Sequence, residues 1–137
     1  MKAYLKYVLL LAVILVGVGI YMYNKPHQNI HKAKPDFDLE ATELFSQFET
    51  NEASANEKYL DKVLQVSGVV KETTTDDAGQ VSITLDAGNM MFGIICKLDE
   101  IARHKRTNFQ PGEKIKLKGV CTGMLMDVVL VRCVEVP

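Results

Sequence analysis

The most regular alternation of apolar and polar positions runs from Lys114 to Val136, KIKLKGVCTGMLMDVVLVRCVEV. Ile115, Leu117, Gly119 and Cys121 share one face, with Lys114, Lys116, Lys118 and Val120 on the other. A period of two belongs to a strand with one buried and one wet face. Asp127–Val136 is almost wholly apolar, as suits an interior strand covered on both sides. The pattern predicts a hairpin of strands 114–122 and 127–136 turning at Gly123-Met124-Leu125-Met126, with Cys121 facing about Val128. So apolar a hairpin has to pair with further strands, and three precede it. Leu64, Val66, Gly68 and Val70 align in the first, Lys62–Lys71, where a mid-strand glycine suggests a bulge or sharp bend. Val81, Ile83 and Leu85 alternate with Ser82 and Thr84 in the second, between turns at Asp76–Gly79 and Asp86–Asn89. The third, Met90–Leu98, sets Phe92, Ile94, Cys96 and Leu98 against Met91, Gly93, Ile95 and Lys97.

Helical spacing appears in two places outside the strands. Leu44, Phe45 and Phe48 form a stripe in a helix capped by Asp38, and a second helical piece covers about Ala53–Leu60. Asp99–Arg106 has an acidic start and basic end that match a short helix. Three strands, a short helix and two strands describe a mainly β, five-stranded OB-fold barrel with an N-terminal helical extension. A plain antiparallel sandwich is the competing architecture.

Tyr7–Tyr23 is uncharged and rich in Leu, Val and Ile. Extended to Ala3, it spans about 30 Å as a helix, enough for a hydrocarbon core. Lys2 and Lys6 also fit a signal peptide, but bulky Tyr21-Met22-Tyr23 stands where cleavage needs small residues, which favours an uncleaved anchor. The predicted organisation is a membrane anchor over 1–23, a linker over 24–37 and the OB-fold domain with its helical lead-in over 38–137. The expected location is the inner membrane, single-pass, with the C-terminal domain exported. His27 and His31 are spaced i, i+4 in the linker, but with no third ligand evident a metal site is not expected.

Charge divides along the same boundary. Residues 1–35 carry five lysines and no acid, whereas residues 36–137 carry 11 Lys/Arg against 17 Asp/Glu, a net charge of −6. An acidic domain argues against nucleic acid, whose binding draws on a basic surface.

Leu44–Glu52, Ala55–Leu60, Val66–Val70, Gly119–Gly123 and Asp127–Cys133 together resemble the tRNA-anticodon-binding-like family of OB-fold proteins, many of them membrane-anchored or lipoproteins. The resemblance covers about residues 38–136. It implies an exported OB-fold domain and supplies no catalytic or nucleotide-binding residues. This chain lacks the N-terminal cysteine of the lipoprotein members.

An OB-fold usually binds through the outer face of its second and third strands. Ser82, Thr84, Met91, Gly93, Ile95 and Lys97 take those positions here, with one charge and no aromatic ring. Lys114, Lys116 and Lys118 read as an exposed strand edge kept soluble by lysine. Cys96 and Cys133 lie on neighbouring strands of such a barrel and are the pair best placed for a disulfide; three buried thiols acting as small hydrophobes is the alternative. His104 is the domain's only histidine, and no catalytic motif, metal set or cofactor fingerprint appears. The expected function is a non-catalytic envelope binding module for a protein, peptide or saccharide, with a single-stranded nucleic-acid binder as the alternative. The candidate surface comprises Met91, Ile95, Lys97, Met124, Leu125 and Met126; the three apolar residues at the hairpin tip call either for packing, against the N-terminal helix for example, or for a partner.

Overall fold

A computed structural model describes residues 1–24, 29–100, 102, 104 and 106–137. Helix α1 (Lys2–Tyr23) is long and apolar enough to cross a membrane, and it buries no residue against the rest of the chain. After it come strand β1 (Phe37–Glu40), helices α2 (Ala41–Thr50) and α3 (Glu52–Tyr59), and strands β2 (Val63–Thr75), β3 (Val81–Asp86), β4 (Gly93–Leu98), β5 (Lys114–Met124) and β6 (Val128–Glu135).

The last five strands close a barrel in the order β2-β3-β4-β6-β5, with β5 returning to β2. The closure works because β2 serves two partners. Val63–Val69 pair with β5 and Val70–Thr75 with β3, the second pairing carrying a register shift between Val70 and Glu72. Gly68 sits just before the hand-over, where a side chain would meet the Ala41 Cβ at 2.9 Å and the Leu85 Cβ at 3.3 Å. The glycine expected to bend the strand therefore also lets α2 approach it. Ile83, Leu85, Ile94, Cys96, Leu117 and Cys121 fill the interior as the alternation predicts, joined by Leu130 and Cys133 of β6, all fully buried.

Helix α2 adds Leu44, Phe45 and Phe48 to the same core. Burial of each such side chain contributes about 1.5–3 kcal/mol. Helix α3 crosses it, with the Tyr59 hydroxyl donating to Gln47 Oε1 at 2.6 Å and the Tyr59 ring set edge-on to Phe37. Asn51 caps α3 by accepting from the Ser54 amide. Asp38 does not cap α2 as expected. It lies in β1, a short strand parallel to β2 that alternation over four residues cannot reveal, and Glu40 precedes the helix without a side-chain cap.

Three further expectations change. Strand β4 begins at Gly93, three residues later than expected, because Asn89 Oδ1 accepts from the amides of Met91 and Phe92 and holds Met90 and Met91 in the loop. Strand β5 continues through Met124, and a bulge between Cys121 and Gly123 places Cys121 opposite Leu130 instead of Val128. Of the short helix expected over 99–106, residues 101, 103 and 105 lie outside the described residues, while Glu100 and Ala102 fall in bends. The chain beyond closes over the barrel: Phe109 is buried in the core, its carbonyl accepts from Thr73 Oγ1, and Arg106 stacks on its ring.

Lys114, Lys116 and Lys118 do not line an edge, since β5 is paired on both sides. Lys118 is in fact buried, its ammonium donating to the carbonyls of His31 at 3.0 Å and Ala33 at 2.8 Å. Beside it Ile30, 1% exposed, packs on Val63 and Val134. Residues 30–36 are thus fastened to the barrel wall. Only residues 24–29 separate α1 from the docked Ile30, so Ile30 can lie no more than about 25 Å from the end of α1.

Gly68→Ala is expected to cost about 1–3 kcal/mol by overpacking against α2, read as a lower urea midpoint with an unchanged slope. Lys118→Met removes two charge-assisted hydrogen bonds. Proteolysis within residues 29–36 should then be at least about tenfold faster, with the barrel's melting temperature little changed; an unaltered cleavage rate would show that Lys118 does not hold the tether. Arg106 pairs with Glu113 and Glu135. The hydrogen bond from Arg106, followed by the Gln110 amide, holds the Glu113 carboxyl below the usual carboxylate range. A lowered folded-state value stabilises above the unfolded pKa and is lost on acidification through the folded one. Hydrogen-exchange protection of the Gln110 amide should therefore fall below about pH 4, and Glu113→Gln should lower it at neutral pH as well.

Candidate functional site

The six residues of the candidate surface separate into two places. Ile95 and Lys97 project from the outer face of the barrel wall, where register aligns Ile95 with Thr84 and Val129, and Lys97 with Ser82. Among the described residues this face holds no aromatic ring. At its upper edge Gln80, Lys97, Leu98, Asp99, Glu100, Val131 and Arg132 line an open cleft of about 270 Å³. Gln80 Nε2 donates to the Leu98 carbonyl at 2.7 Å and fixes the cleft floor. Among the described residues Arg132 is one of two non-glycine residues with positive φ, at 56°, a conformation that bulges adopt at some cost. Acidic and basic groups alternate around the cleft, so it presents no uniform attraction to a polyanion.

Met91, Leu125 and Met126 gather at one end of the barrel, where the β3–β4 and β5–β6 loops lie side by side. Strands β4 and β6 run parallel from this end, Ile94 opposite Val128. Asp127 Oδ1 accepts from the Gly93 amide at 2.7 Å and ties the two loops together. Lys71 Nζ donates to the Met90 carbonyl at 3.1 Å and steadies the first loop from its flank. The result is an ordered end whose side chains point outward: Met90 is 96% exposed, Met91 77%, Leu125 94% and Met126 65%. Met124 differs, packing against the core from a half-buried position. Leu60, at the end of α3, is also exposed and lies close to Gly123 on the same end. The tip does not pack on the N-terminal helix, since α1 buries nothing.

Sequence reasoning missed Met90, which it counted into the strand. Asn89 was the available signal, because an Asx turn there delays the strand and turns both methionines outward. Methionine is unbranched and polarisable, so a cluster of it adapts to apolar partners of different shapes.

The remaining chemistry is sparse. All three cysteines are thiols and fully buried. Burial pushes Cys121 up from its ordinary value, and pushes Cys133 well up with the neighbouring Cys96 adding to the effect. His104 Nε2 lies 2.6 Å from the Asp99 carbonyl, and its ring faces His31 at 6.5 Å. His27 lies outside the described residues. Among the described residues no group of three His, Cys, Asp or Glu side chains could hold a metal ion.

The tRNA_anti-like family model matches residues 1–135. No curated protein matches the chain in sequence. A solved structure from Klebsiella pneumoniae subsp. pneumoniae, described as a candidate nucleic acid-binding lipoprotein, is 18% identical and superposes with a TM-score of 0.57 over 72% of this chain and 91% of its own. That likeness is one of fold. The match over nearly the whole chain, on a closed five-stranded barrel with a helical lead-in, makes the chain a member of the tRNA_anti-like family.

Proposed function

We propose that the chain is a non-catalytic binding module of the bacterial envelope, anchored in the inner membrane by α1 with its barrel outside the cytoplasm, and that it takes a protein or peptide at the loop end. One observation carries this reading: Met90, Met91, Leu125 and Met126 stand exposed together on loops that hydrogen bonds hold in place. Clusters of large apolar side chains on a soluble surface are typical of contact sites, where burial of the same groups is favourable. Floppy tips would lose entropy on binding; ordered ones lose less. The fastened tether supports the same reading, because it keeps the barrel close to the bilayer and limits the directions in which the loop end can face.

A second reading, single-stranded nucleic-acid binding, is favoured by the description of the Klebsiella lipoprotein. Such binding combines a basic groove with stacking aromatics. The net charge of −6 over residues 36–137 and the β3–β4 face of Ser82, Thr84, Ile95 and Lys97 supply neither.

Leu125→Asp with Met126→Asp should leave the melting temperature within a few degrees, as exposed substitutions do, and reduce recovery of co-purifying envelope proteins at least about tenfold, the effect of losing one strong contact. Unfolding of this variant would show the tip to be core. A single-stranded oligonucleotide should show no retarded band at low salt; a band that weakens as salt rises would favour the second reading.

A further inference from the structure

Cys96 and Cys133 are singled out by three features of the barrel wall. Strands β4 and β6 are parallel neighbours, and Leu98 is paired with Cys133 after a register shift that begins at Cys96. The shift arises because Arg132, with φ of 56°, adds a residue to β6. It turns Cys133 inward, on the same buried face as Cys96 two residues before Leu98. The Cys133 sulfur occupies space that a side chain at residue 119 would need, and Gly119 leaves that space open. Both residues are fully buried, and Cys96 is the neighbouring group that adds to the upward push on the Cys133 thiol. Cys121, across the hairpin, faces Leu130.

We propose that Cys96 and Cys133 form a disulfide across the β4–β6 seam when the domain folds in an oxidising compartment, and that Cys121 remains a thiol. The compartment in this inference rests on the reading of the barrel as exported. The oxidant is a disulfide, either of a thiol–disulfide oxidoreductase or of glutathione. One cysteine thiolate attacks it, forming a mixed disulfide and releasing one thiol; the second thiolate attacks the cysteine sulfur of that intermediate and releases the other. Two protons and two electrons pass from the pair to the oxidant, and the Cys96 Sγ–Cys133 Sγ bond forms. Because neither sulfur is accessible in the closed barrel, the exchange belongs to folding, before the seam closes. The link would enclose residues 97–132 and fasten the pairing that joins the first three barrel strands to the last two. Loops of this length give large stabilisation in the chain-entropy account.

The full chain in detergent, refolded from denaturant in reduced and oxidised glutathione, then alkylated and mapped by mass spectrometry without reduction, tests the pairing. The expected products are a Cys96–Cys133 cross-linked peptide and an alkylated Cys121, with a melting temperature about 10 °C or more above that of the reduced protein. Cys121→Ser should keep the link and the temperature difference; Cys133→Ala should lose both. Three alkylated cysteines after oxidative refolding, or a link through Cys121, would overturn the pairing. The same mapping on protein alkylated in intact cells tests the compartment separately. A link in both samples supports pairing and export together, whereas a link in the refolded sample with reduced cysteines in cells leaves the pairing standing and overturns the export.

Discussion

Strand β2 pairs with β5 through Val63–Val69 and with β3 through Val70–Thr75, and the barrel closes only because one strand makes both sets of bonds. A straight strand could not do so. A register shift between Val70 and Glu72 marks where β2 passes over to β3, and the missing side chain of Gly68 just before it gives Ala41 of α2 its place against the sheet. Leu44, Phe45 and Phe48 of that helix are buried in the same core. Strands β4 and β6 then meet as parallel neighbours, which brings the β3–β4 and β5–β6 loops to a common end. The exposed methionines are thus a product of the closure and not of the hairpin alone.

The polar interactions serve this geometry at three points. Asp127 bonds the first amide of β4 and locks the two loops. Arg106 bridges Glu113 and Glu135 and draws the long β4–β5 connection, with buried Phe109, over the barrel. Lys118 clasps the tether through backbone carbonyls. A buried ammonium is costly unless its donors are satisfied, so this contact favours one seat for the chain that leads to the membrane. The end that carries the apolar loops is thereby fixed relative to the point where the tether meets the wall.

Much of the fold was legible in the chain because a period of two is a direct consequence of strand geometry. The interior positions of β3, β4 and β5 follow from it. What escaped has a physical cause in each case. Lys118 looks like a surface lysine because its partners are carbonyls of His31 and Ala33, which leave no trace in side-chain pattern. β1 escaped since Phe37–Glu40 is four residues long and pairs in parallel with a strand far along the chain. Met91 was placed on the sheet face because alternation continues through Asn89 and Met90, while the Asn89 side chain starts the strand later. The six residues of the candidate surface therefore fall in two places, the barrel wall and the loop end. That Cys96 and Cys133 lie on neighbouring strands could be read from the strand order, although the register shift beside Cys133 could not.

The most direct measurement of the central claim is photo-crosslinking from the full chain in its own membrane, with the reactive side chain at Leu125 in one protein and at Thr84 in the other. The account predicts discrete polypeptide adducts from residue 125 and none from residue 84. Adducts from residue 84 alone, to nucleic acid or to protein, would place binding on the barrel wall and contradict it.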